Sequence, residues 1–258
     1  MYINGRNAVL EAIRSGESIE KIYLQYGLPP EGTEDLRREA RGARIPVTQL
    51  DRRKFRDLER RARLGTRSQG VIARIDPVDY VDIQHLIAAT WEKGEIPIIA
   101  VLDRITDPHN LGAIIRSAEC AGLHGVVIPR KGGGGVTDVV VKTSAGAVHS
   151  LPMARVERLV DLLRDLKGSG LRVVACAESG SVEYDRTDLS GPIALLLGSE
   201  GEGIAPELLA ECDQVISIPM AGSIGSLNVS VAAGVIFFEA LRQRRELERS
   251  GRTESGHR

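Results

Sequence analysis

Residues 193–204 read IALLLGSEGEGI. Five apolar residues run without alternation, and then two acids sit among three glycines. A strand with one wet face alternates apolar and polar positions. An unbroken run is instead the pattern of a strand buried on both faces, as in a parallel sheet. The same pattern recurs in IIAVL (98–102), GVVIP (125–129), LRVVACA (171–177) and QVISIP (214–219). Helical periodicity lies between these runs, at 111–122, 137–147, 155–168, 204–211 and 226–248. Alternating strand and helix predict an α/β fold with a doubly wound parallel sheet over residues 97–258.

The chain before Pro97 has a different texture. NGRNAVLEAIRSG reads as a helix stopped by Gly16, and IEKIYLQY as a strand. GTEDLRREARGA is a short basic helix with Thr33 placed to cap it. IPVTQL, DRRKFRDLERRARLG and GVIARI follow as strand, helix and strand. Residues 1–76 therefore predict a small α/β domain. Residues 77–96, bounded by prolines and mixed in charge, read as a linker with one weakly helical piece. The end, SGRTESGHR, reads as a polar tail.

Composition is that of an ordinary soluble globular chain, 42% hydrophobic and 27% charged. The 28 glycines point to tight turns and close backbone approaches. The sequence starts without a signal-peptide pattern, and no apolar run approaches the ~20 residues that span a bilayer. Cys120, Cys176 and Cys212 are far apart and predict three buried free thiols in a reducing compartment. The expected location is the cytoplasm, away from any membrane. No histidine has metal-ligand spacing, so no metal is expected.

A net charge of −1 conceals a block at 36–74 with thirteen Lys or Arg and only four Asp or Glu. The acids needed to pair it are missing, and arginine suits phosphate geometry. The block predicts nucleic-acid binding through Arg37, Arg38, Arg41, Arg52, Arg53, Lys54 and Arg67.

Ligands of open parallel sheets bind beyond the carboxyl ends of the strands. Three such places carry polar groups and glycine. In VLDRITDPHNLGAIIRSAECAG (101–122), Asn110 and Arg116 stand near the start of a helix. In one helix they would lie about 240° apart and ~9 Å along the axis. In IALLLGSEGEGI, Glu200 is the first acid after the strand. In GSIGSLNVSVAA (222–233), Ser226 is placed as an N-cap and Asn228 and Ser230 lie off the apolar stripe. That stripe, Leu227, Val231, Val235, Phe238 and Leu241, reads as core. Gly222 and Gly225 let the chain wrap around a ligand. No G-x-G-x-x-G follows the first strand, which argues against a nicotinamide enzyme.

At these three segments the sequence resembles the SpoU, or TrmH, family of RNA ribose 2′-O-methyltransferases. DPHNLGAIIRSAECAG, LLLGSEGEGI and ISIPMAGSIGSLNVSVAAGVIFFEA match the family's three motifs in order. The N-terminal part, through INGRNAVLEAI and RSQGVIARI, is similar to the L30e-like substrate-binding domain of one subgroup. That subgroup modifies a guanosine of large-subunit ribosomal RNA. The resemblance implies a parallel-sheet SPOUT domain with a C-terminal trefoil knot, preceded by the small L30e-like domain. It also implies a homodimer and S-adenosylmethionine as cofactor, held around Gly198, Ile218, Gly222, Ser226 and Leu227. Asn110, Arg116, Glu200, Ser226 and Asn228 are implied as catalytic. The implied partner is 23S ribosomal RNA or its assembly intermediate. A tRNA enzyme and a non-catalytic rRNA-binding assembly factor are the rivals. Arginine stays protonated above pH 12, so Arg116 fits a phosphate clamp or a hydroxyl-orienting charge better than a base.

Overall fold

A computed structural model describes residues 2–29, 32–64 and 68–255. The chain divides into two compact units, Met1–Asp79 and Tyr80–Arg258.

The first unit carries β1 (Tyr2–Asn4), α1 (Arg6–Arg14), β2 (Ile19–Gln25), α2 (Glu34–Gly42), β3 (Val47–Leu50), α3 (Arg52–Arg61) and β4 (Val71–Ile75). The strands form one sheet in the order β1-β4-β2-β3, with β2 and β3 parallel and β4 antiparallel to β1 and β2. The alternating strand IEKIYLQ buries Ile22 and Leu24 against Val9, Leu36 and Ala40 of the helices. Thr33 holds the N-cap position of α2. Asp51 caps α3 by accepting the Lys54 N–H at 2.9 Å. The three-residue β1 carries too little pattern to be read from sequence.

The second unit opens with α4 (Ile83–Glu92), capped by Asp82, which accepts the His85 N–H. The stretch that reads as a linker thus contains a helix whose Ile83 and Ile87 join the core. Then follow β5 (Ile98–Leu102), α5 (Pro108–Cys120), β6 (Gly125–Pro129), α6 (Asp138–Thr143), β7 (Met153–Val156), α7 (Leu159–Gly168) and β8 (Arg172–Cys176). The chain ends with β9 (Val182–Glu183), β10 (Ile193–Leu197), α8 (Pro206–Leu209), β11 (Gln214–Ser217) and α9 (Val229–Ser255). α9 extends through Ser250–Ser255, where the sequence reads as a tail. All seven strands pair parallel, in the order β7-β6-β5-β10-β8-β11-β9. Every residue of β5, β6 and β10 is buried, as their unbroken apolar runs require.

One face of the sheet packs against α4, α7 and α8 through Ile87, Leu163, Leu166 and Leu208. Helices α5, α6 and α9 pack together on the other. From β8 the chain runs out to β9 and returns through 184–192 to β10, on the far side of β8. β11 lies inside this excursion, between β8 and β9. At Gly180 the excursion crosses β11 so closely that a Cβ would stand 2.2 Å from the Ile216 carbonyl carbon. α9 holds the return segment. The Gln243 side chain accepts the Leu189 N–H at 2.7 Å and donates to the Thr187 carbonyl at 2.9 Å. Arg244 donates to the carbonyls of Ile96, Pro97 and Gly191 at 2.8–3.2 Å.

Among the described residues no helix is long and apolar enough to cross a membrane, and no group of His, Cys, Asp or Glu is arranged to hold a metal. The thiols depart from the sequence reading: Cys120 is exposed, and Cys176 and Cys212 are half-buried. Cys120 follows the buried Ala118 on the outward side of α5.

Candidate active site

The loops after β5, β10 and β11 converge at the carboxyl edge of the parallel sheet. After β5, Asp107 accepts the His109 N–H at 2.8 Å and caps α5, with Pro108 in the first helical position. Asn110 therefore lies in the first turn of the helix rather than at its cap. After β10, the glycine loop folds back on itself. Ser199 and Gly203 exchange two backbone hydrogen bonds of 3.1 and 2.9 Å. That closure is possible because residue 198 is glycine: a Cβ there would lie 2.3 Å from the Gly203 carbonyl. After β11, residues 218–228 lead to α9. Asn228, not Ser226, is its cap: the Asn228 Oδ1 accepts the Ser230 N–H at 2.9 Å and the Ser230 hydroxyl at 2.5 Å.

Glu200 ties the three loops together. Its Oε1 accepts from Asn110 Nδ2 at 3.0 Å, from the Val229 N–H at 3.3 Å, and from Asn228 Nδ2. Asn228 Nδ2 also donates to Asn110 Oδ1 at 3.0 Å. Three donors converge on one carboxylate oxygen, and one of them is a free N–H of the first turn of α9. Glu200 therefore acts as a clasp between loops.

Two cavities flank this clasp and share Ser199, Glu200, Gly201, Glu202 and Val229 as a common wall. The larger, about 420 Å³, is lined on one side by Leu197, Ile204, Leu209, Ile218, Met220 and Leu227. Its polar groups include Glu178, Ser179 and Ser226. This volume falls within the roughly 300–1,000 Å³ of small-molecule sites. The Cys176 thiol also lines it, and burial pushes its pKa up to about 11, so it presents a neutral, weakly polar surface. The smaller cavity, about 370 Å³, is lined by Arg104, Thr106, Asp107, Asn110 and Gly132 beside the common wall.

The structure thus brings Asn110, Glu200 and Asn228 into contact and sets Gly198, Ile218, Ser226 and Leu227 around the larger cavity. Gly222 lines neither cavity. Arg116 lies exposed, six residues along α5 from Asn110, and lines neither cavity. Glu200 accordingly clasps Asn110 and Asn228 and makes no bond to Arg116. The stripe that reads as core is only partly so: Leu227, just before α9, Val231 and Phe238 are 37%, 50% and 48% exposed and Val235 and Leu241 are half-buried, while Ala233, Ile236, Phe237 and Ala240 are buried.

Sequence reading missed a brace beside the clasp. Asp103, buried at the end of β5, accepts the Ala205 N–H at 3.0 Å. Arg104 bonds Asp103 at 3.2 Å, the Gly203 carbonyl at 3.3 Å, and Glu202. An acid directly after a buried strand was the available signal. Arg104 itself gave none, because its left-handed φ of 55° is a conformation that favours glycine. The carboxyl end of β8, CAES at 176–179, also belongs to the larger cavity and follows from the same strand-edge rule.

In the first unit, Arg38 pairs with Asp35 at 2.7 Å and Lys54 with Asp51 at 3.7 Å. Arg41, Arg52 and Arg53 are exposed and Arg37 is half-buried, and none of these four has an ion-pair partner among the described residues. Arg67 lies outside the described residues.

Two cavities thus lie across one glycine wall at the carboxyl edge of the parallel sheet, where open α/β sheets bind their ligands. Comparison with known proteins gives the family. The SpoU rRNA Methylase family matches residues 97–238, and the substrate-binding domain of RNA 2′-O ribose methyltransferases matches residues 2–81. The chain belongs to the SpoU rRNA methylase family. It is 35% identical to a putative TrmH family tRNA/rRNA methyltransferase, YacO, of Bacillus subtilis, over 94% of this chain and 96% of that one. It is 38% identical to the 23S rRNA (guanosine-2′-O-)-methyltransferase RlmB of Shewanella oneidensis, over 90% and 92%. The crystal structure of the SpoU methyltransferase AviRb from Streptomyces viridochromogenes, in complex with AdoMet, matches with a TM-score of 0.59 at 26% identity, over 95% and 91%.

Proposed function

We propose that this enzyme transfers a methyl group from S-adenosylmethionine to the ribose 2′-hydroxyl of a specific guanosine in 23S ribosomal RNA, in the cytoplasm and as a homodimer. The observation that carries the reading is the Glu200 clasp. It joins all three family motifs at the wall between a cavity suited to a cofactor and a cavity suited to a nucleotide. The RlmB relative, similar over nearly the whole chain, supports the guanosine and the 23S substrate.

The larger cavity fits the cofactor. Its apolar side chains suit an adenine ring, and Glu178 and Ser179 suit ribose hydroxyls and an ammonium group. Gly198 lets the loop fold back against Gly203 to close this wall, and Gly225 leaves open space beside the cavity. When bound there, S-adenosylmethionine supplies an electrophilic methyl on a sulfonium. Ser226 and Leu227 line the cavity on the side of the clasp. Asn110 and Asn228 orient the acceptor through their amides, and Glu200 fixes both. Arg116, which lines neither cavity of its own chain, would supply positive charge to phosphate or hydroxyl from the second copy of the proposed homodimer. Holding both reactants in line supplies much of the rate.

We assign RNA binding to residues 1–76, through exposed arginines of α2 and α3. The order of β8, β9, β10 and β11 supports a trefoil knot, because α8 precedes β11 on one face and α9 follows it on the other. The exposed stripe Leu227, Val231 and Phe238 supports a homodimer through α9.

The test is methyl transfer from labelled cofactor to unmodified large-subunit rRNA, with tRNA in parallel, followed by mapping of the 2′-O-methyl group. A single methylated guanosine in rRNA is the expected result. Label in tRNA alone overturns the substrate and retains the chemistry.

A further inference from the structure

The carboxyl ends of β1, β2 and β3 and the start of β4 meet at one edge of the first unit's sheet. Hydrogen bonds fix the meeting: the Gly5 N–H donates to Val71 at 2.9 Å, the Gln25 N–H to Gly70 at 2.9 Å, and the Tyr26 N–H to Leu50 at 2.7 Å. Tyr26 thus stands directly beside the end of β3. Arg52 and Arg53 begin α3 two and three residues beyond Leu50. Arg6 lies at the same edge, just past β1.

Tyr26 is 69% exposed, the most exposed aromatic side chain among the described residues. Tyr26 follows directly after β2, whose Ile22 and Leu24 are buried, and its backbone is bonded to the residue that precedes the turn into Arg52 and Arg53, two exposed arginines without ion-pair partners among the described residues. Neither the core nor the local charge balance needs it there. The combination matches what a single-stranded nucleic acid recognises: a flat π-face for a base and guanidinium forks for the adjoining phosphates.

We propose that Tyr26 is a stacking platform for an unpaired base of the RNA substrate, with Arg52 and Arg53 holding the phosphates that flank it. The proposal rests on the reading of residues 1–76 as RNA-binding. It makes the recognised element a loop, bulge or end, because bases in a duplex are already stacked and unavailable.

The experiment uses the full chain with a fluorescein-labelled oligoadenylate and a blunt RNA duplex of equal length, across a salt series. Tyr26→Ala is expected to weaken oligoadenylate binding about tenfold, with the slope of log Kd against log salt unchanged. Tyr26→Phe and Tyr26→Trp are expected to bind as wild type. The double change Arg52→Ala, Arg53→Ala is expected to reduce that slope by about 1–2. Emission of Tyr26→Trp, in a Trp91→Phe background, is expected to be quenched by oligoadenylate and not by the duplex. Wild-type affinity in Tyr26→Ala, equal losses in the Ala and Phe variants, or failure of the wild type to prefer single strand over duplex would each overturn the platform. These readouts need no methyl transfer, so they fail independently of the assignment to 23S rRNA.

Discussion

Gly198→Ala tests whether the glycine loop is the wall of the cofactor cavity. The new Cβ would lie 2.3 Å from both the carbon and the oxygen of Gly203, and 2.5 Å from the Ile204 nitrogen. Real Cβ contacts essentially never fall below 3.0 Å, so the loop must retreat by at least 0.7 Å. The atoms in the way are backbone and cannot rotate aside. Retreat breaks the paired Ser199–Gly203 hydrogen bonds, at about 1 kcal/mol each, and overpacking adds about 1–3 kcal/mol. The total, about 3–5 kcal/mol, is less than the stability of a typical domain, so the protein should stay folded with Tm lowered by about 6–20 °C. The displaced loop carries Glu200 out of reach of Asn110 and Asn228. Calorimetric titration is expected to show S-adenosylmethionine binding weakened at least ~100-fold, about 2.7 kcal/mol. Gly201→Ala is the control, since its Cβ meets nothing within 4 Å; it should bind like wild type. A folded Gly198→Ala protein with wild-type affinity would refute the assignment of this loop, and an equal loss in Gly201→Ala would refute the steric reasoning.

Arg116→Ala is expected to abolish methyl transfer while cofactor binding measured by calorimetry survives; equal loss of binding would show that Arg116 belongs to the cofactor cavity. Val231→Asp with Phe238→Asp is expected to give a folded monomer in sedimentation, whereas an unchanged species would refute the α9 interface. His124 accepts the Ile98 N–H at Nδ1 at 3.1 Å and faces Glu95 at 3.3 Å. Burial holds its pKa below the usual imidazole value, reinforced by Arg244 and opposed by Glu95. Because the folded pKa is the lower one, this contribution to stability is present above the unfolded pKa of 6.5 and is lost as pH falls through the folded value. Wild type should therefore lose more Tm than His124→Asn between pH 8 and pH 5.5, and identical losses would refute this.

Much of the parallel sheet was legible because burial on both faces leaves an unbroken apolar run, as in β5, β6 and β10. β7 was not: its four residues, half of them partly exposed, merge with the helix that follows. α9 defeated periodicity for a different reason. It carries two apolar stripes, and spacing finds both without saying which faces the core. Positions beyond strand ends marked Asn110, Glu200 and Asn228 one at a time. Their mutual contact depends on the spatial order of β5, β10 and β11, which local sequence does not encode. The same holds for the placement of β11 inside the β8–β10 excursion.

The charge of the smaller cavity argues for a two-copy assembly. A ribose hydroxyl loses its proton more readily where the potential at the oxygen is positive. The lining supplies Asp107, Glu200 and Glu202 against the single cation Arg104, which is already bound to Glu202 and Asp103. One chain by itself therefore offers a site short of positive charge. Arg116 is exposed and has no ion-pair partner among the described residues, and the neighbouring Ser117 faces α9, its Oγ 3.8 Å from where a Gly234 Cβ would stand. The outward stripe of Val231 and Phe238 rises from that same helix. In the homodimer proposed above, a second copy seated on this stripe would cover α9 beside α5, the helix that carries Arg116. In that proposed dimer one association would both bury the apolar stripe and add Arg116 to a site short of positive charge, and the Val231→Asp, Phe238→Asp variant should then lose methyl transfer together with dimerisation.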